Sequence, residues 1–517
     1  MTALDRPVIL VTALVYLVIV LAIGAWALRR TRSAKDFFIA GQGIGLLVTG
    51  LATMSAAFSG FVFIGGPGLT YRMGLASLFI CLPVSFTAAL LAWVVAKRLR
   101  LLAEVREVYT VPDAIYCRYQ SRLASGLAAV AVVVGTVGYL GAQLLAMGVM
   151  IESIFGTRAS LGEWSLPVAM AAGLAVVLVY ATAGGMVAGV YTDLFQGALM
   201  VVAASGVFYY AMKSGGGLES IARSIVTSDA FGPGFLDPLG TVPILTAIGF
   251  FFVFAIGNLG QPHMLHKFYM LDDPRKLKWI PALVGGTQAM CVLIWLGIGL
   301  AVPALVAEGR LDALTNPDDA SPIFLLQFTP GLLAGLVFAG ILAAIMSTAD
   351  SFVNIGSAAL VRDLPRALGR PLGDELRWGR IAVFAIAVTS AFFAWLYQDL
   401  IALLGTFAFG TFGAALTPAI AIGLNWRRVT AGAASASIAT GMGLNLALEF
   451  LAKQTFFPGL PKPTFLQPGV LPSAVSLAAS FAVLLAWSWL WGSEQDASTG
   501  DPSDQAIPED VLAVMEM

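Results

Sequence analysis

The sequence predicts an all-α polytopic membrane protein, and three observations carry that prediction. Of its 517 residues, 58% are hydrophobic and 11% are charged, where a soluble protein has about 25% charged. The apolar residues gather in blocks of about 20, the length that crosses a bilayer as a helix. The blocks are continuous rather than alternating, which favours helices over a membrane barrel. The formal net charge of −1 gives no support for a nucleic-acid partner. Cys81, Cys117 and Cys291 are scattered, so neither a disulfide framework nor a zinc site is expected.

Thirteen candidate spans follow in order, at about 8–28, 41–70, 76–96, 124–150, 164–183, 190–212, 241–262, 279–303, 330–360, 380–397, 399–424, 430–450 and 470–491. The first lacks a basic n-region and a small-residue cleavage site, so it is read as a retained helix. Most of the 29 Lys and Arg fall in alternate loops: Arg29 to Lys35, Lys97 to Arg122, Lys267 to Lys278, Arg362 to Arg380, and Arg427 with Arg428. The positive-inside rule makes these loops cytoplasmic, with the N-terminus outside and the C-terminus inside the plasma membrane. The polar, acidic stretch at 492–517 is expected to be a disordered cytoplasmic tail.

Two spans are poor helices. The second holds Thr53-Met54-Ser55-Ala56-Ala57-Phe58-Ser59-Gly60, then Gly65-Gly66-Pro67-Gly68. The seventh holds Ile256-Gly257-Asn258-Leu259-Gly260-Gln261-Pro262-His263. Glycine and proline weaken a helix interior. Two interrupted spans, five apart, are what an inverted repeat gives, with ions and substrate held at the breaks. The expected division is 1–40 (extra N-terminal helix and basic loop), 41–212 (first repeat), 213–424 (second repeat), 425–491 (two C-terminal spans) and 492–517 (tail). Between spans five and six, Gly184-Gly185 suits a tight cytoplasmic turn; Asp193 and Gln196 follow on one side of the next helix.

The ninth span carries Ala343-Ala344-Ile345-Met346-Ser347-Thr348-Ala349-Asp350-Ser351. Ala344, Ser347, Thr348 and Ser351 share one helix face, with Asp350 at its edge. A carboxylate deep in a spanning helix costs roughly 2.5–3.5 kcal/mol on insertion scales, and is usually kept for a pathway, a counter-charge or an ion. Hard cations take oxygen ligands, so this face is read as a sodium site.

Gly184-Gly185 with Thr192-Asp193 and Gln196, Gly260-Gln261-Pro262-His263, and Ala344 to Thr348 followed by Arg362-Asp363-Leu364 together resemble the sodium:solute symporter family. The resemblance covers about residues 8–490. Through Ser59-Gly60, Pro67-Gly68 and the Gln-Pro-His run it is strongest to the sodium/proline branch. It implies a leucine-transporter-type 5+5 inverted repeat with an extra N-terminal helix. It also implies a sodium ion held by main-chain carbonyls of Ser55, Phe58 and Ala344 and by the hydroxyls of Ser347 and Thr348. A second cation site of some members matches Ser347, Asp193, Asp350 and Ser351, with Asp350 standing where those members have a hydroxyl. Substrate is implied near Ala57, Gly60 and Phe61 on one break, Phe254, Asn258 and Pro262 on the other, and Gln143 beside them. The branch has an acid, a tryptophan and a tyrosine at the positions of Ala57, Phe254 and Asn258, so the solute is left open between an amino acid such as proline and a short monocarboxylate.

Plainer roles stand beside each assignment. Ser347 and Thr348 can bond back to the carbonyl four residues earlier. Asp350 can pair with Asn354, and Asp193 can serve a helix N-terminal turn. Gln143 can bond between helices instead of lining a cavity. Phe254 can be packing alone. His263 and His266, near Lys267, read as interfacial. The function expected is sodium-coupled symport of a small organic solute across a bilayer, with no obligate protein partner implied. Proton coupling through Asp350 and a transporter-like sensor are the alternatives. No nucleophile–base pair, phosphate loop or metal cluster points to an enzyme, and no filter repeat to a channel.

Overall fold

The structure, a computed structural model, describes residues 7–28, 40–397, 400–453, 466, 469–491 and 507–517. The basic stretch from Arg29 to Lys35 lies outside them. Among the described residues there is no strand; one bridge joins Ile44 to Leu271. Among the same residues, twelve helical segments are long and apolar enough to cross a membrane.

The expected second span is present in two pieces. α1 is Pro7–Leu28 and α2 is Leu46–Ala57, too short to cross alone. Phe58 then turns extended, with φ −100° and ψ 107°. The chain resumes through a π turn at Phe61–Gly65 into α3, Gly66–Met73. Gly74 ends α3 at φ 70° and ψ −150°, a backbone region open to glycine. A Cβ there would also strike the Phe235 carbonyl.

Helices α4 (Leu78–Leu90), α5 (Lys97–Val105), α6 (Val111–Tyr119) and α7 (Arg122–Phe155) follow. Spans five and six both fall in α8, Ser165–Ser214. The turn expected at Gly184-Gly185 falls on residues whose side chains lie outside those described, between Arg158–Leu178 and Gly189–Ser214, each long and apolar enough to cross. The second break repeats the first. α9 (Ile244–Ile256) gives way to a 3-10 turn at Gly257–Gly260 and to Gln261 at φ −79° and ψ 104°; α10 is Pro262–Tyr269. Proline at the first position of α10 fits, because its missing N–H needs no partner there.

α11 (Ile280–Ala307), α12 (Gly331–Ala358), α13 (Glu375–Tyr397) and α14 (Ile401–Thr417) complete the repeats. α15 (Ala431–Lys453) and α16 (Pro472–Trp491) pack together at the edge. α12 is buried from Ala334 onward apart from isolated positions, and α14 is buried almost throughout. A helix buried on all sides is a central rod rather than a lipid-facing one; α1, α7, α8 and α13 surround α12.

The alternate loops rich in Lys and Arg meet on one face. Arg100 Nε donates to the Leu271 carbonyl (2.7 Å), Thr110 Oγ1 to Asp363 (3.0 Å), and Arg118 Nε to the Gly423 carbonyl (2.7 Å). The other loops gather opposite, where Arg158 pairs with Glu152 (3.1 Å) and Asp319 (3.6 Å). The tail expected to be disordered is in part ordered. Its end forms α17, Glu509–Glu516, against α5 on the basic face. Val511 and Val514 are buried, and Asp510 and Glu516 pair with Arg106 and Arg427. Acidic residues flank a central apolar run in this segment, so it answers both the basic loops and the apolar side of α5. Residues 492–506 lie outside the described residues.

Candidate functional site

The site is built where α2 stops. In an uninterrupted helix the Gly60 N–H would close on the Ala56 carbonyl. Here the donor and the acceptor are taken by two other helices. Gly60 N–H donates to Gln143 Oε1 of α7 (3.1 Å). The Ala56 carbonyl accepts from Thr348 Oγ1 of α12 (3.2 Å). Gln143 Nε2 donates to Ser59 Oγ (3.2 Å), which also accepts from Phe61 N–H (3.1 Å). Ser321 Oγ donates to the Phe63 carbonyl (2.7 Å), so a carbonyl in the π turn is also satisfied. Ser55 Oγ donates to Ser347 Oγ (2.9 Å).

This settles two open points of local chemistry. Thr348 bonds across to α2 rather than back to Ala344, one turn earlier on α12. Gln143 bonds between helices and fixes the break. The carbonyl facing Thr348 belongs to Ala56, a residue outside the expected set of Ser55, Phe58 and Ala344. Ser55 takes part through its hydroxyl; Phe58 is the extended residue itself, its N–H on the Met54 carbonyl (2.9 Å). Ser55, Ser347 and Thr348 are each 0% exposed, so α2 and α12 place an oxygen-rich seam inside the bundle.

The second break is held likewise. Gln261 Nε2 donates to the carbonyls of Gly257 and Phe409 (both 3.0 Å). Gly257 lies so close to α14 that a Cβ on Gly413 would stand 2.8 Å from the Gly257 Cα. Between the breaks the rings of Phe61 and Phe254 stack at 5.7 Å and 28°. Phe254 stacks on Phe409 at 4.5 Å and 22°, and Trp295 meets Phe61 at 5.8 Å. Trp295 Nε1 is tied to Thr70 Oγ1 (2.9 Å) and Ser77 Oγ (3.2 Å). Phe254 therefore packs, and it packs on the residue expected opposite it. Gly60, Phe61, Gln143, Phe254, Asn258 and Pro262 are buried, with Ala57 half-buried, so these positions lie in the interior of the bundle. Asn258 departs from the expected arrangement. Its Nδ2 donates to Thr87 Oγ1 of α4 (3.3 Å), which turns the amide toward the outer wall.

The second expected cation site is rearranged by a residue the sequence left at the interface. Lys267 is 1% exposed, and its Nζ donates to Asp193 Oδ2 (2.8 Å). Asp193 is thus bonded to a lysine ammonium rather than to a helix-terminal N–H. Asp350 Oδ1 accepts from Asn354 Nδ2 (3.1 Å), and its Oδ2 faces Gly189, where a Cβ would stand 2.6 Å away. Ser351 Oγ is buried with no partner among the described residues. His263 and His266 are 1% and 3% exposed, so neither is interfacial. His263 packs on Phe352 (4.4 Å) and Tyr139 (5.8 Å). α10 is buried, and a buried cation is held only against an acid, so the burial of this helix is what gives Lys267 its partner. Gln196 Nε2 donates to the Tyr16 hydroxyl (2.8 Å), fastening α8 to the N-terminal helix.

Two broken spans, related by repeat and facing a hydroxyl-bearing central helix, define a leucine-transporter-type secondary transporter. The chain belongs to the sodium:solute symporter family, whose model matches residues 37–441. The osmoregulated proline transporter OpuE of Bacillus subtilis is 28% identical over 443 residues, covering 84% of this chain and 87% of that protein. The sodium/proline symporter of Haemophilus influenzae is 27% identical over 450 residues, covering 84% and 86%. Among solved structures, a substrate-bound, outward-open Na⁺-coupled sialic acid symporter superposes with a TM-score of 0.72 at 18% identity, covering 94% of this chain and 98% of that one.

Proposed function

We propose that the chain couples inward movement of Na⁺ to uptake of a small organic solute, an amino acid such as proline or a short monocarboxylate, across a bacterial plasma membrane. The basic face is then cytoplasmic, with the N-terminus outside and the C-terminus inside. The observation that carries this reading is the Thr348 to Ala56 bond across the α2 break, with the Ser55–Ser347 hydroxyl pair beside it. These oxygens are buried, come from two elements able to move apart, and form the kind of hard-donor set that suits Na⁺. The ion would take Ser347 Oγ, Thr348 Oγ1 and freed carbonyls at the end of α2 and at Ala344. Its arrival draws α2 onto α12 and completes the solute pocket at Gly60, Phe61, Phe254 and Pro262. The Phe61–Phe254 stack closes that pocket, and its apolar walls suit a small solute better than a sugar. Rocking of one repeat against the other then opens the site inward. Each inward charge gains about 2.3 kcal/mol per 100 mV, or about fiftyfold in solute concentration.

Uptake of labelled proline, other amino acids and monocarboxylates into proteoliposomes, with and without a sodium gradient, identifies the solute. Ser347→Ala and Thr348→Ala each remove a ligand to a charged species, worth about 1.5–3 kcal/mol. The half-saturating sodium concentration should rise roughly ten- to hundredfold in each. Unaltered sodium dependence in both variants sinks the assignment. Uptake driven by a pH gradient alone, and lost in Asp350→Asn, would replace sodium by proton coupling.

A further inference from the structure

We propose that the Lys267 ammonium is a tethered cation occupying the place of a second coupling ion, so that Lys267 limits the chain to one sodium ion per cycle. The inference rests on the sodium reading above and concerns the neighbouring polar cluster.

Three charged side chains share the interior at this level: Asp193 of α8, Asp350 of α12 and Lys267 of α10. They are 1%, 4% and 1% exposed. An ionised carboxylate removed from water needs a counter-charge at contact distance. Asp193 has one, the Lys267 Nζ at 2.8 Å. Beside that carboxylate stands Ser347, whose hydroxyl also accepts from Ser55. The pair is thus contiguous with the seam assigned to sodium. Asp193, Ser347, Asp350 and Ser351 form an oxygen-lined cluster of the kind a free cation would fill, and an ammonium on a four-carbon stem already sits in it.

The charge balance follows. Two carboxylates and one ammonium leave a single net negative charge when all are ionised, and one Na⁺ neutralises it. A second Na⁺ at Asp193 would meet the ammonium at contact distance with both oxygen sets shared. Lys267 also lies on α10, immediately past the second break, whereas Asp193 lies on α8. The ion pair therefore joins the interrupted element of the second repeat to the helix that flanks α12, and a tethered cation there travels with the protein instead of being released with the solute. A lysine suits this role because its charge is compact and its stem flexible.

Equilibrium binding of ²²Na⁺ to the purified full-length protein tests the proposal without knowledge of the solute. The wild-type chain should bind one ion with a hyperbolic isotherm. Lys267→Gln should bind two, with a Hill coefficient moving from 1 toward 2. Asp193→Asn leaves the ammonium uncompensated beside the sodium seam, so its half-saturating sodium concentration should rise about tenfold. Adding Lys267→Gln to Asp193→Asn should restore one ion at near wild-type affinity, a rescue that a purely architectural pair would not give. Two ions bound by the wild-type chain overturn the proposal even if Lys267→Gln fails to fold. So does a single ion in a folded Lys267→Gln, or no shift in Asp193→Asn. Wild-type protein that binds no ²²Na⁺ refutes the sodium reading itself, and Ser347→Ala separates the cases because it weakens the first ion whatever Lys267 does.

Discussion

Replacing Gln143 by leucine tests whether the α2 break is held open by its hydrogen bonds. Gln143 accepts from Gly60 N–H and donates to Ser59 Oγ. Leucine is close in volume and keeps the apolar packing of α7, so the perturbation is chiefly polar. Ser59 Oγ keeps its bond from Phe61 N–H, so one backbone donor is orphaned, that of Gly60. A buried unsatisfied donor costs about 1–3 kcal/mol. The natural remedy is for Gly60 N–H to return to the Ala56 carbonyl and heal the helix. That withdraws the carbonyl from Thr348, so the penalty falls on the ion-binding arrangement. The half-saturating sodium concentration should therefore rise roughly five- to 150-fold at this energy, measured by ²²Na⁺ binding to purified protein. Gln143→Glu keeps an acceptor for Gly60 and should recover most of the affinity. Wild-type sodium affinity in a folded Gln143→Leu protein would refute the link between the cap and the ion, as would equal losses in the leucine and glutamate variants.

Two further outcomes are expected. Gly260→Ala puts a Cβ 2.8 Å from the backbone nitrogen of Thr417 and 3.1 Å from its Cα; neither can yield as a side-chain tip would. Overpacking of this kind costs about 1–3 kcal/mol, so thermal stability in detergent should fall, whereas Gly286→Ala, which meets nothing within 4 Å, should leave it unchanged. Asp318, in the loop before the ninth span, is 3% exposed and accepts from the Ile401 N–H at the start of α14 (3.0 Å). Burial pushes its carboxyl up to about 7, against the lowering effect of that bond. A carboxyl raised above its unfolded value favours the folded state at low pH and loses that contribution as pH climbs from about 4 to about 7. Melting temperature should decline across that window, and Asp318→Asn should flatten the slope; an equal slope in the variant removes Asp318 as its cause.

The legible part of this molecule was the part written in composition and local chemistry. Long apolar runs dictated spanning helices, because a bilayer leaves the backbone no other partner. The glycine and proline clusters at 65–68 and 257–262 marked the two interrupted spans; the second break falls at Gln261 inside its cluster, the first at Phe58, ahead of a cluster that is itself helical. The hydroxyl face of α12 followed from helical spacing alone. The tail at 509–516 was misread because acidic composition indicates solubility, and carries no information about a basic partner elsewhere in the chain.

What the sequence determined by itself, then, was the number and kind of elements and which residues sit one helical turn apart. Which polar group faces which is a property of pairs far apart in the chain, such as Thr348 with Ala56. Only packing decided that the donor freed at Gly60 goes to Gln143, that Asn258 turns outward to Thr87, and that Lys267 meets Asp193 inside the bundle. The physical reason is that periodicity along a chain fixes a side chain's direction on its own helix. The partner it meets depends on which helices lie against one another, and that is set by the burial of the whole bundle at once.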